Sequence, residues 1–176
     1  MVIKIIIKFI LKLFIAIILL LVLLFAYFNF PVKKQNDNAE MGVTFSHRYA
    51  GDIGLNWKET LVAILDDLKV RNIRIPVYWD LVESKEGEFD FSDVDWQLNE
   101  INKRNGKVVL VIGQKVPRWP ECAIPEWAKT DDEKRKKKLL EFISLAVDRY
   151  KKNSEIIYWQ VENEPFLSFG ECPQRG

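Results

Sequence analysis

The sequence is poor in the side chains that build metal centres: its 176 residues include one histidine, two cysteines and two methionines. His47, Cys122 and Cys172 share no spacing typical of a zinc or other transition-metal site, so no metal is expected, and no other cofactor motif is present. The chain also lacks an excess of charge of either sign. Twenty-six Lys and Arg against 25 Asp and Glu leave a net charge of +1, which gives no reason to expect nucleic acid as a partner. The basic run from Lys134 to Lys138 follows Asp131, Asp132 and Glu133, and reads as the solvated face of a helix. Aromatic residues, at 12%, are not scarce, and all six tryptophans lie beyond residue 30, which excludes disorder there.

What is abundant is apolar sequence at one end. From Phe9 to Phe28 only Lys12 interrupts an apolar and aromatic run, and about 20 such residues span a bilayer as a helix. Lys12 can snorkel to the interface. No small-x-small cleavage site follows Phe28, which favours an uncleaved signal-anchor over a cleaved signal peptide. Lys4, Lys8 and Lys12 before the span outnumber Lys33 and Lys34 after it. The positive-inside rule then places the domain on the extracytoplasmic side of a single-pass membrane protein. The expected organisation is a transmembrane signal-anchor (1–30), a linker (31–40) and one domain (41–176). That domain is near −2 in charge once the three lysines of the anchor are set aside.

Within the domain, short β-rich runs alternate with amphipathic segments. Strands are expected at Met41–Ser46, Asn72–Tyr78, Lys107–Ile112 and Ile156–Val161, the third reading as buried on both faces. Asn56 with Glu59 should cap a helix whose stripe is Leu61, Ile64, Leu65 and Leu68. Ser92 with Asp95 should cap a second, with Val94, Leu98 and Ile101. Thr130 with Glu133 should cap a third, carrying Leu139, Leu140, Ile143, Ala146, Val147 and Tyr150. The order β-α-β-α-β-α-β at these spacings predicts an α/β fold with a parallel sheet. Ligands of such sheets bind at the carboxyl ends of the strands, so chemistry is sought in the loops that follow them.

The fourth strand runs directly into Glu162-Asn163-Glu164-Pro165. Carboxylates at such a place are either a solvated strand end or functional groups. Glycoside hydrolysis needs a carboxylic acid held protonated and a second carboxylate across the substrate, and an amide beside the acid can bind a sugar hydroxyl. Arg74, a charge inside the second strand, should be paired with a carboxylate or a substrate-binding acid, since an unpaired buried charge is costly. Trp79, Trp119, Gln114 and His47 lie in the loops at the same rim and are candidate substrate-binding residues, since an indole face stacks on a pyranose. Trp96, on the second helix, reads as packing.

These segments together resemble glycoside hydrolase clan A, the retaining (β/α)8-barrel glycosidases that include β-galactosidases, cellulases and β-xylosidases. The resemblance covers about residues 41–171 and rests on Gly42-Val43-Thr44-Phe45-Ser46, Arg74-Ile75-Pro76 with Trp79 and Glu83, Gly87 to Phe91, and Asn163-Glu164-Pro165. It implies a partial TIM barrel, the first four strands and three helices, preceded by the transmembrane helix. It also implies that Glu164 is the general acid/base, that Asn163 contacts the sugar 2-hydroxyl, and that Arg74 supports the catalytic carboxylates. Glu162 departs from the usual pattern. In a regular strand it would share a side with Glu164 and help to keep that acid protonated.

The family's nucleophile sits at the end of a seventh strand, and no residue here matches it. The 176 residues are therefore expected to be a fragment without turnover, the simplest origin being a truncated reading frame ending at Pro173 to Gly176. The alternative is a non-catalytic carbohydrate-binding or scaffold protein built on a half barrel, closed as a homodimer. Cys122 and Cys172 follow adjacent strands, and in an exported domain a disulfide between them is favoured over a pair of inert thiols.

Overall fold

The computed structural model describes residues 2–30, 40–168 and 170–172. Two compact units result, Met1–Ala39 and Glu40–Gly176. Most of the linker assigned to residues 31–40, and the terminal Pro173 to Gly176, lie outside the described residues.

The first unit is helix α1, Val2–Asn29. Its stretch Lys4–Asn29 contains 18 consecutive residues with a mean hydropathy of 3.2, none of them buried, so it is long and apolar enough to cross a membrane or to act as a signal sequence.

The second unit is an α/β fold. Strands β1 (Gly42–Thr44), β2 (Asn72–Pro76), β3 (Lys107–Ile112) and β4 (Ile156–Val161) form one parallel sheet in the order β1-β2-β3-β4. Helices α3 (Trp57–Asp66), α5 (Ser92–Asn102) and α6 (Asp132–Tyr150) make the crossovers, and two short helices, α2 (His47–Asp52) and α4 (Trp79–Val82), lie in the loops after β1 and β2. This is the strand order of the first half of a (β/α)8 barrel.

Period-2 alternation sets the two faces of the sheet. Ile73, Ile75, Val108, Leu110 and Ile112 point to the helices and are fully or almost fully buried, packed with Leu61, Leu65, Leu98, Ile101 and Phe142. The register brings Thr44, Arg74, Val109 and Tyr158 onto the other face. Val109 is half-buried and Tyr158 exposed there. On that second face Val111 is nevertheless fully buried, with Tyr78, Val116 and Ala123, so β3 is buried on both faces toward its carboxyl end and only half-buried at Val109.

Asn56 caps α3, its side-chain oxygen accepting from the N–H groups of Lys58 and Glu59. Leu68 falls beyond the end of α3 and is exposed, and Leu140 points outward from α6, where Phe142 takes the buried place. The two other expected caps, Thr130 and Ser92, do not cap their helices. Asp131, not Thr130, accepts from the N–H of Lys134 at the start of α6. An aspartate caps through its side-chain oxygen as a threonine does and adds favourable charge at a helix N-terminus. Before α5 the N-cap is Phe91, which makes no side-chain cap bond; Ser92 is the first helical residue, and its N–H donates to Asp90 two residues back.

Candidate active site

The carboxyl ends of the four strands gather most of the polar residues singled out in the sequence. The Arg74 side chain projects from β2 past β3 to the end of β4. Its Nε donates to Gln160 Oε1 at 2.9 Å and its Nη2 to Asn163 Oδ1 at 2.7 Å. Gln160 Nε2 donates to the Glu162 carbonyl at 2.9 Å and approaches Asn163 Oδ1 at 3.4 Å. With its oxygen engaged by Arg74, the Asn163 amide is oriented so that its NH2 group is the end available to a ligand acceptor. Burial holds the Arg74 guanidinium below its ordinary pKa, and the nearby charge of Glu164 opposes that shift.

Glu164 is exposed at this rim. The backbone from Glu162 to Glu164 is not extended: both glutamates have left-handed φ angles, 62° and 49°. The premise that they project to one side as in a regular strand is therefore corrected. The Glu162 carboxylate turns toward the β3 loop, where it accepts from the N–H groups of Gln114 at 3.0 Å and Lys115 at 2.6 Å.

The loop after β3 folds back on itself. Val116 donates to the Glu121 carbonyl and Ala123 to the Gln114 carbonyl, across a cis Trp119–Pro120 bond. Trp119 is 58% exposed there, and Arg118 stacks on Tyr49 of the β1 loop. A disulfide joins Cys122 to Cys172, with their Cα atoms 5.2 Å apart, and ties the β3 and β4 loops together.

Three sequence-predicted residues occupy other roles. Trp79 is 0% exposed: it stacks on Phe142, meets Trp127 edge to face, and donates from Nε1 to Glu83 Oε2 at 2.7 Å. It belongs to the core and has no face open to a sugar. Helix α4 turns its indole inward, since one turn of helix after β2 directs Trp79 and Val82 at the buried side. Glu83 is buried with it, its second oxygen accepting from the N–H of Gly87 at 2.9 Å. His47 is also buried, in ring contact with Trp57 and Tyr78, so it is closed to substrate as well. Gln114 acts through its backbone, as the donor to Glu162 and the acceptor for Ala123.

Sequence reasoning passed over Gln160 and Lys115. Gln160 carried one signal: it lies two residues beyond Tyr158 on the same face of the sheet, where Arg74 needed a partner. Tyr78 also links loops, its hydroxyl pairing with Ser46 Oγ at 2.6 Å while its ring lies under the Arg48 guanidinium. Arg48 in turn pairs with Asp80.

A parallel four-stranded sheet with an arginine on β2 and an Asn-Glu pair at the end of β4 is the amino-terminal half of a TIM barrel of the clan A glycoside hydrolase type. The model of glycosyl hydrolase family 10 matches residues 35–173, and the chain belongs to that family. β-Galactosidase LacZ of Lactobacillus acidophilus is 26% identical over 104 residues, covering 49% of this chain and 16% of that protein. Among solved structures, β-galactosidase from the psychrophilic Marinomonas ef1 superposes with a TM-score of 0.53 at 15% identity, over 72% of this chain and 22% of that one. GH5_18 from Streptomyces cattleya, in complex with GlcNAc, superposes with a TM-score of 0.54 at 12% identity, over 72% of this chain and 34% of that one. The chain thus spans about a sixth of the length of that curated relative and a fifth to a third of those two structures.

Proposed function

We propose that this chain carries the acid/base half of a membrane-anchored retaining glycosidase acting on a carbohydrate substrate outside the cytoplasm. Glu164 protonates the glycosidic oxygen of the departing sugar and later takes the proton of the attacking water. Asn163 donates from its NH2 group to the 2-hydroxyl. Arg74 keeps the amide in that orientation and places a positive charge beside Glu164. Trp119 offers an exposed indole face for sugar stacking. Helix α1 serves as the anchor, with the domain on the extracytoplasmic side.

The observation that carries this reading is the 2.7 Å bond from Arg74 Nη2 to Asn163 Oδ1, because it joins β2 to β4 at the one rim where such sheets bind ligands. A retaining mechanism also needs a nucleophilic carboxylate about 5 Å from the acid. Several nearby carboxylates are committed elsewhere: Glu83 to Trp79, Glu162 to the β3 loop, Asp80 to Arg48 and Glu121 to Lys115. None of these four serves as the nucleophile in this reading, and the 176-residue chain alone is expected to show no turnover.

The test is to read the DNA beyond the Gly176 codon and to assay the protein encoded by the whole frame on aryl β-galactosides, β-glucosides and β-xylosides. Hydrolysis with retained anomeric configuration, reduced about 10²-fold or more by Glu164→Ala, is the expected result. Hydrolysis that is indifferent to Glu164 overturns it. A stop codon at that point, with the 176-residue chain forming a sugar-binding dimer, would establish the scaffold reading instead.

A further inference from the structure

Glu162 has no part in the acid/base chemistry above, yet the backbone around it is built for it. A side chain other than glycine at φ 62° adopts a conformation that costs free energy and persists only where its surroundings impose it. Here the surroundings are the first residues beyond β3. The Glu162 carboxylate accepts from two successive backbone N–H groups, those of Gln114 and Lys115. Gly113 makes room for it: its φ is 133°, and a Cβ at that position would lie 2.6 Å from the Glu162 carboxyl group.

The loop after β3 returns the contact. The Lys115 carbonyl accepts from the N–H of Asn163 at 2.7 Å. The buried Lys115 ammonium donates to the carbonyls of Glu164 at 3.2 Å and Leu167 at 2.7 Å, with Glu121 beside it at 3.4 Å. Gln160, which receives the Arg74 Nε, is itself tied to the Glu162 carbonyl. Every residue of the Glu162-Asn163-Glu164 turn is therefore held either by residues 113–115 or by Gln160.

We infer that Glu162, with Gly113 and Lys115, is a positioning clamp that sets the left-handed turn presenting Asn163 to Arg74 and Glu164 to the substrate. Glu162 acts through these neighbours and is not itself a catalytic residue. The inference rests on the glycosidase reading for its purpose, and on the hydrogen bonds alone for its existence. It replaces proton sharing between Glu162 and Glu164 with a mechanical link.

The test uses the 176-residue chain in non-ionic micelles, observed by 15N NMR. In the wild type, the Gln114 and Lys115 amides are expected at the low field typical of carboxylate-bonded N–H groups, with slow exchange. In Glu162→Gln, one of the two acceptors is replaced by an NH2 group that faces a donor. Exchange of the Asn163 N–H and the Arg74 Nε–H should then quicken about tenfold or more, the change expected when a charge-assisted hydrogen bond is lost, while the β2–β3 ladder amides stay protected. Lys115→Met should release the Leu167 end and leave the Arg74 signal in place. An Arg74 Nε–H that is unmoved in Glu162→Gln, or one that quickens only together with the whole sheet, overturns the clamp. So do wild-type Gln114 and Lys115 amides without protection, a measurement that needs no variant to fold. No readout involves a sugar, so absence of glycosidase activity and absence of the clamp are separate results.

Discussion

Replacing Trp79 with phenylalanine tests whether this residue belongs to the core or to the sugar-binding rim. The indole is wholly buried, its Nε1 is bonded to a Glu83 carboxylate that is 1% exposed, and its rings pack on Phe142 and Trp127. Phenylalanine removes the donor and about half of the ring system. A buried hydrogen bond to a charged acceptor is worth about 1.5–3 kcal/mol. The space left by the missing ring adds about 1–2 kcal/mol, a fraction of the full cost of truncating an aromatic residue. The sum, about 2.5–5 kcal/mol, is a large part of a total that is typically about 5–15 kcal/mol. With a urea m-value of about 1–3 kcal/mol/M, the unfolding midpoint should fall by at least about 0.8 M. Near-UV circular dichroism of the chain in non-ionic micelles follows that transition. Adding Glu83→Gln to the variant should recover part of the loss, because the orphaned buried charge is then removed. A Trp79→Phe chain with an unchanged midpoint and weakened sugar binding would refute the core assignment and return Trp79 to the rim.

Two further outcomes are expected. Burial holds the pKa of His47 below its ordinary value of 6.5; Asp93 and Asp80 pull it back up, and Arg48 adds to the lowering. The unfolded chain therefore binds a proton more readily than the folded one. The stability this neutral histidine contributes is present above pH 6.5 and is lost as the pH falls below it. Urea midpoints measured across that range should slope downward on acidification, and an equal slope in His47→Gln would remove His47 as the cause. The Cys122–Cys172 bridge closes a loop with a sequence separation of 50. Loop-closure entropy makes this worth about 4 kcal/mol, so reduction or Cys122→Ser should lower the midpoint markedly, and an unchanged midpoint under reductant would refute that estimate.

Features with a local physical cause were legible from the sequence. The Val/Leu/Ile run of β3 and the bounds of β4 follow from β-branched content, and the buried Val94, Leu98 and Ile101 of α5 follow from helical spacing. The Asn56 cap is a local hydrogen bond. Arg74 was recognisable as a charge that needed a partner, because desolvating an unpaired guanidinium is costly anywhere. The placement of Trp79 and His47 was not legible. Loop residues after a strand can turn outward or inward, and the choice was made by helices α4 and α2 and by what lay beneath them, Phe142 and Glu83 for one, Trp57 and Gln97 for the other. Asp131 displaced its hydroxyl neighbour Thr130 as the cap of α6 for a similar reason, since several adjacent residues can cap and only the packed position of the helix selects one.

The sequence by itself determined an apolar first helix, a parallel α/β sheet, and an Asn-Glu pair following the fourth strand, because each rests on periodicity or on chemistry within a few residues. The tertiary structure alone decided what surrounds that pair. It brought Gln160 and Asn163, 86 and 89 residues distant, to Arg74, and turned the Glu162 carboxylate, 47 residues away, onto the Lys115 N–H. The physical reason lies in the backbone of Glu162 and Glu164. Their left-handed turn is imposed by hydrogen bonds from another strand's loop, and an interaction of that range has no trace in the residues beside it.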